Sequence, residues 1–216
     1  MATSASKRLL VLQMGEPLDK VKAIHGSQPE WFMRAIGSGL AQGIDFDVVR
    51  PFAGEALPSP GRFGAALISG SGAMVTDRAD WSERSAEWAL RVMQAGIPLF
   101  GVCYGHQLMS WALGGKVDWM TKPPREIGSH EVTLTADAGS DPLLEGLPQQ
   151  FDAILTHQQT VTELPPGARV LGRSRFDAHQ IVRYSDSAFS VQFHPEFTPE
   201  LIRMYITERS KALVAE

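Results

Sequence analysis

The 216-residue chain has one cysteine, no excess of positive charge and no long apolar run near its start. Each shortage excludes something. One cysteine cannot close an internal disulfide, so the fold does not depend on an oxidising compartment. Twenty Lys and Arg against 24 Asp and Glu leave a net charge of −4. A sequence-independent grip on nucleic acid needs a basic face, and this balance argues against one. The run Leu9–Leu12 stops at Gln13, too short for a secretory core or a membrane span. The expected setting is therefore the cytoplasm, with no membrane and no nucleic-acid partner. There is no Gly-x-x-x-x-Gly-Lys phosphate loop and no Ser-Gly-Gly-x-Asp-Ser segment, so no nucleotide or other cofactor is expected. His25, His130 and His179 have no Cys or carboxylate at ligand spacing, and no metal site is expected.

What remains reads as an α/β chain. At 44% hydrophobic, the length suits one domain, residues 8–216, behind a small, polar, flexible N-terminus of residues 1–7. Strand-like and helix-like segments alternate: Arg8–Met14, Pro29–Leu40, Asp45–Val49, Ala65–Ser69, Asp80–Ala95, Ile97–Val102 and Tyr104–Leu113. Asp80 suits an N-cap, with Glu83 three residues on as in a capping box. Short joints between such elements imply a parallel sheet covered on both faces. The second half has strands at Glu131–Thr135, Phe151–Leu155, Arg169–Arg173, Gln180–Tyr184 and Phe189–Phe193 with few helices between them. Antiparallel or mixed pairing is expected there, before a closing helix, Thr198–Ala212. The whole predicts a three-layer, flavodoxin-like domain with a mixed, mostly parallel central sheet. The five tryptophans, Trp31, Trp81, Trp88, Trp111 and Trp119, are expected in the core or at helix–sheet contacts. Arg169, Arg173 and Arg175 form a small basic run, expected as a solvated face.

The lone cysteine sits in Gly101-Val102-Cys103-Tyr104-Gly105, after an apolar strand and before a helix. This is the layout of a nucleophile elbow with sulfur in place of oxygen. The residues two before and two after crowd the sharp turn, so they must be small. A helix N-terminus also places the sulfur near the positive end of the macrodipole, which favours the reactive anion. A nucleophile needs a base, and the base an orienter. Val191-Gln192-Phe193-His194-Pro195-Glu196 supplies both. His194 and Glu196 are two apart, so in extended chain they face one side, about 7 Å apart along the backbone. Pro195 keeps that segment extended and ends sheet pairing.

Gly101-Val102-Cys103-Tyr104-Gly105-His106-Gln107 and Gln192-Phe193-His194-Pro195-Glu196 together resemble the class I, or triad, glutamine amidotransferases. The cysteine segment is very similar to that of the glutaminase domain of GMP synthase, while His25–Phe32 and Glu196-Phe197-Thr198 look more like free-standing, GMP-synthase-like members. The resemblance implies hydrolysis of the glutamine side-chain amide to glutamate and ammonia through a Cys103 thioester, with His194 as base and Glu196 as its orienter. It implies an oxyanion hole from the Tyr104 N–H and the Gly70-Ser71-Gly72 turn, with Ser71 first and Gly70 next. It implies a substrate contact from Gln107, and a pocket lined by the loop Thr156-His157-Gln158-Gln159. Gly72 stands where many relatives carry Pro, and Gln159 where GMP synthase relatives typically carry Asp. A separate synthetase subunit is the implied receiver of ammonia. Two other readings compete: a γ-glutamyl peptidase acting on peptides or conjugates, and a non-catalytic regulatory module.

Overall fold

A computed structural model describes residues 8–37 and 43–215. The N-terminal stretch 1–7 and Leu40, the expected end of the helix that starts at Pro29, lie outside the described residues. Eleven strands and five α-helices follow in the order β1 (Arg8–Leu12), α1 (Asp19–His25), α2 (Gln28–Ile36), β2 (Asp45–Val49), β3 (Ala65–Ile68), α3 (Asp80–Gln94), β4 (Leu99–Val102), α4 (Tyr104–Ala112), β5 (Lys116–Trp119), β6 (Glu126–Leu134), β7 (Gln150–His157), β8 (Gln159–Glu163), β9 (Arg169–Arg173), β10 (Ile181–Arg183), β11 (Ala188–Val191) and α5 (Pro199–Ala215).

Nine strands form one sheet in the order β2-β1-β3-β4-β11-β10-β9-β6-β7. The ladders from β2 to β11 are parallel and those from β11 to β7 antiparallel. Only β6 and β10 therefore run against the direction of the rest. This is the mixed sheet that the sequence pattern predicts. The central strands are short and apolar because both faces are covered. Leu10, Leu12, Ile68 and Leu99 pack under Trp88 and Val92 of α3 and Leu108 and Met109 of α4. Val11, Leu67 and Val102 face the other way, toward Phe32 of α2 and the curled antiparallel half. A third cluster joins Val21, Trp31, Leu201, Ile202 and Tyr205 of α1, α2 and α5. Among the described residues, no helix is long and apolar enough to cross a membrane.

Several expectations need correction. Asp80 is the first residue of α3 rather than its cap; Ala79 holds the cap position without a side-chain bond. Glu83 is held instead by Arg78, with Nε–Oε1 at 2.8 Å and Nη2–Oε2 at 3.2 Å. A capping box does form one helix earlier, between Ser27 and Glu30. The helix α2 ends at Ile36 because Gly37 takes φ 77°. Strands β5 and β8 pair as a separate two-stranded sheet. Trp119 of that sheet is 47% exposed and does not belong to the core, whereas Trp31 and Trp88 do. Thr156 to Gln159 is not a loop: His157 ends β7, Gln159 starts β8, and Gln158 alone joins them.

Candidate active site

Three parallel neighbours deliver the candidate residues to one sheet edge. In register, Ile68 of β3 sits beside Gly101 of β4, and Val102 of β4 beside Val191 of β11. Gly70 follows β3 by two residues, Cys103 follows β4 directly, and His194 follows β11 by three. All three leave the carboxyl ends of their strands, where open α/β sheets hold ligands.

The turn at Cys103 is strained. Its φ is 51° and ψ −102°, a combination outside the regions L-residues favour. The Cys103 N–H donates to the Val191 carbonyl at 2.9 Å, so the sheet holds the turn in place. The flanking glycines give it room. A Cβ on Gly101 would lie 2.6 Å from Met109 Sδ, and one on Gly105 would overlap the Ile68 carbonyl oxygen. Gly70 serves a different pair: its Cβ would lie 2.8 Å from His194 Cε1 and 3.5 Å from Cys103 Cβ. Only a hydrogen at that position lets the imidazole approach the cysteine side of the turn.

His194 and Glu196 meet as their spacing predicts. Nδ1 of His194 is 2.8 Å from Glu196 Oε1, and the His194 N–H donates to the Ile154 carbonyl at 2.8 Å. Both side chains are almost fully buried, and neither His194 Nε2 nor Glu196 Oε2 has a hydrogen-bond partner. With Glu196 at Nδ1, the free Nε2 is the nitrogen available for chemistry. Burial disfavours the imidazolium, but the charges of Glu196 and of the Cys103 sulfur outweigh it and hold His194 well above its ordinary value. The ring also stacks on Phe197, centroids 4.1 Å apart. Phe197 stacks in turn on Tyr205 of α5 and meets the edge of Trp31 of α2.

The remaining expected residues surround the same pocket, though several are already committed. Gly70, Ser71, Cys103, Tyr104, Gln107, His157, Gln158, Gln159 and His194 all line it. Gln107 is buried, and its Nε2 donates to the Gln159 carbonyl at 2.7 Å and to Gln192 Oε1 at 2.9 Å. Both amide protons are thus used, leaving only its oxygen for a ligand. Gln159 sends its Nε2 to Thr76 Oγ1 at 2.5 Å. Its Oε1 is buried without a partner. Ser71 Oγ accepts from the Ala73 N–H at 3.0 Å and so stays inside its own turn.

His157 has a buried support that the sequence did not reveal. Its Nδ1 faces the Gln159 carbonyl at 2.9 Å and its Nε2 faces Glu126 Oε2 at 3.1 Å. Glu126 also accepts from Ser174 and Gln180. Burial alone would raise the Glu126 carboxyl, but His157, Ser174 and His130 hold it below the usual carboxylate range. Ligand-type atoms of Glu126, His157 and Asp177 lie within 4.8 Å of one another. Glu126 and His157 are spent on each other, so this cluster works as a buried brace under the pocket. Glu16, Gln28, Arg125, Phe197, Tyr205 and Arg209 also line the pocket. Nothing in their local sequence marks them, because each arrives through tertiary contact.

A cysteine on a strained strand-to-helix turn, beside a carboxylate-held histidine at the ligand edge of an α/β sheet, defines the class of triad amide hydrolases. The comparisons specify it further. The model of the class I glutamine amidotransferase family matches residues 55–211, and the chain belongs to that family of cysteine-dependent C–N amide hydrolases. GMP synthase of Aeropyrum pernix is 38% identical over 143 residues, 66% of this chain and 25% of that protein. GMP synthase of Thermosipho africanus is 40% identical over 108 residues, half of this chain and 20% of that protein. The matched part is thus a quarter or less of these synthases. A γ-glutamyl-L-1-hydroxyisopropylamide hydrolase of a Pseudomonas species is 30% identical over 164 residues, 72% of this chain and 55% of that hydrolase. A glutamine amidotransferase structure from Thermotoga maritima superposes with a TM-score of 0.77 at 19% identity, covering 99% of this chain and 86% of that one. It supports the fold.

Proposed function

We propose that the chain hydrolyses γ-glutamyl amide bonds, with L-glutamine as the first substrate and glutamate and ammonia as products. The observation that carries this is the meeting of Cys103 and His194 in one pocket at the sheet edge, with Glu196 bonded to His194 from behind. The Cys103 sulfur attacks the γ-carbonyl carbon, and the C–N bond breaks to leave a γ-glutamyl thioester. His194 carries the proton the thiol gives up and hands it to the leaving nitrogen. Glu196 fixes the ring and balances its charge. Water then adds to the thioester, its proton returns by way of His194 to the sulfur, and glutamate departs. The Tyr104 N–H, with Ser71 or Gly70, supports the oxyanion. Gln107, His157, Gln158 and Gln159 shape the acyl side. Residues 8–216 act as one domain in the cytoplasm, where a free thiol stays reduced. Ammonia passes to a separate synthetase subunit, a role suggested by the GMP synthase relatives.

The test is ammonia and glutamate release from L-glutamine by wild type and Cys103→Ala. Release by the wild type alone supports the proposal. Equal release by both, or none by either, overturns it for glutamine. A second reading has its own support. The Pseudomonas hydrolase matches more of this chain than either synthase does. Larger γ-glutamyl amides would use the same residues and the same two steps. Parallel kinetics on glutamine and γ-glutamylglycine separate the readings. Cys103 alkylation no faster than that of a model thiol would favour a non-catalytic module.

A further inference from the structure

Arg209 stands in the candidate pocket without an assigned task. It lies on α5, and a Cβ on Gly72 would be 3.6 Å from its Nη2. Its guanidinium carbon sits 6.0 Å from the centre of the Tyr205 ring. Among the described residues, no carboxylate forms an ion pair with it. Nearby acids are engaged elsewhere: Glu16 with Lys22 at 2.9 Å and Glu208 with Lys20 at 2.9 Å. Glu196 is engaged with His194.

The position of Arg209 says which part of a substrate it meets. The leaving nitrogen takes its proton from His194, so the leaving group lies on the His194 side of Cys103. That side is built by the ring stack His194–Phe197–Tyr205 and by the Gly70–Gly72 turn. Arg209 continues the stack by one helical turn and lies against Gly72. Gln107, Gln158 and Gln159, assigned above to the acyl part of the substrate, line the same pocket. Ammonia from glutamine offers an arginine nothing to hold. An amino-acid leaving group offers a carboxylate, and a guanidinium binds carboxylates well.

We propose that Arg209 is a specificity-determining residue that binds an anionic group on the leaving amine, so that the preferred substrates are γ-glutamyl amides of amino acids. This rests on the γ-glutamyl amide reading above. A pair of substrates isolates the charge: γ-glutamylglycine and its neutral counterpart γ-glutamylglycinamide. In wild type kcat/KM is higher for the acid, mainly through KM. In Arg209→Gln the acid-to-amide ratio of kcat/KM falls roughly tenfold or more, the scale of one charge-assisted hydrogen bond. Arg209→Lys restores part of it. A ratio unchanged by Arg209→Gln overturns the proposal. An equal loss on both compounds also overturns it, because it would put Arg209 on the α-carboxylate that both share.

Protection of Cys103 from iodoacetamide by the same two compounds gives a readout without turnover. If neither compound is hydrolysed, the reading that extends the reaction to larger γ-glutamyl amides fails on its own, while glutamine hydrolysis is judged by its own test. Stronger protection by the acid, lost in Arg209→Gln, would still uphold the assignment of Arg209, and equal protection would refute it.

Discussion

The strain at Cys103 makes a prediction about stability with an unusual sign. Cys103 is only 5% exposed, and it occupies φ 51°, ψ −102°. Side chains held in sparsely populated backbone regions cost about 1–3 kcal/mol. This pair of angles lies outside even the small left-handed helical region, so the upper end, about 2.5–3 kcal/mol, applies. Cys103→Ala removes the sulfur and keeps the strain. Cys103→Gly removes the strain as well. Glycine loses about 0.8 kcal/mol for one less buried carbon and about 0.4–1 kcal/mol through a freer unfolded chain. The balance leaves Cys103→Gly more stable than Cys103→Ala by about 1 kcal/mol, or roughly 2–4 °C in Tm for a chain of this size. Thermal unfolding followed by circular dichroism measures it. Ala89→Gly in the buried face of α3 is the control and should destabilise, as glycine does in an ordinary helix. If Cys103→Ala melts at or above Cys103→Gly, the turn is not strained and its account as a nucleophile elbow loses its physical basis.

Three further perturbations test other parts of the structure. Glu196→Gln keeps the shape and the bond to His194 Nδ1 but removes the charge that holds the imidazolium, so glutamine turnover should fall roughly 10²-fold or more; turnover within threefold of wild type would remove Glu196 from the triad. Asp141→Ala strands Arg183, whose Nε lies 2.6 Å from Asp141 Oδ2 in a buried pair; urea unfolding should show a loss of about 3–5 kcal/mol, and a loss below about 1 kcal/mol would contradict a buried pair. His106 is fully buried, and burial, helped by His179 and His157, pushes it down to about 3 from 6.5. Its folded value lies below its unfolded one, so its contribution is complete above pH 6.5 and falls as pH drops from 6.5 toward 3, by about 1.4 kcal/mol per pH unit on the steep part. His106→Asn should therefore lose less Tm than wild type between pH 7 and pH 5, and an equal loss would refute the assignment.

The parts of the site legible in the sequence are those fixed by neighbours along the chain. Gly101 and Gly105 bracket Cys103, and the steric need for both is met within one turn of helix. His194 and Glu196 share a face because Pro195 keeps the segment extended, and the 2.8 Å contact follows. The two capping signals show where local reading stops. Ser27-x-x-Glu30 and Asp80-x-x-Glu83 have the same spacing, yet only the first forms a box: α3 starts one residue earlier, with Ala79 at the cap, and Glu83 pairs with Arg78. Strands β5 and β8 are short and pair across 40 to 47 residues, so neither stands out alone. Glu126 and Arg209 are invisible for the same reason. One is buried under His157 by the β6–β7 ladder, and the other reaches the pocket because α5 packs back across the sheet edge.

The two halves of the proposed catalytic pair are therefore held by different means. The nucleophile is held by the sheet: β4 runs between β3 and β11, and the Cys103 N–H is tied to Val191. The base is held at its backbone by β7, through Ile154, but its ring is set by Glu196 and by aromatic rings from the segment before α5 and from α2 and α5. Gly70 lies between His194 and Cys103, and a Cβ there would meet both. The ring stack on His194 thus ends on Tyr205 of α5, and α5 also carries Arg209. On the proposed role of Arg209, binding at the leaving end of a substrate and the orientation of His194 therefore share one structural element.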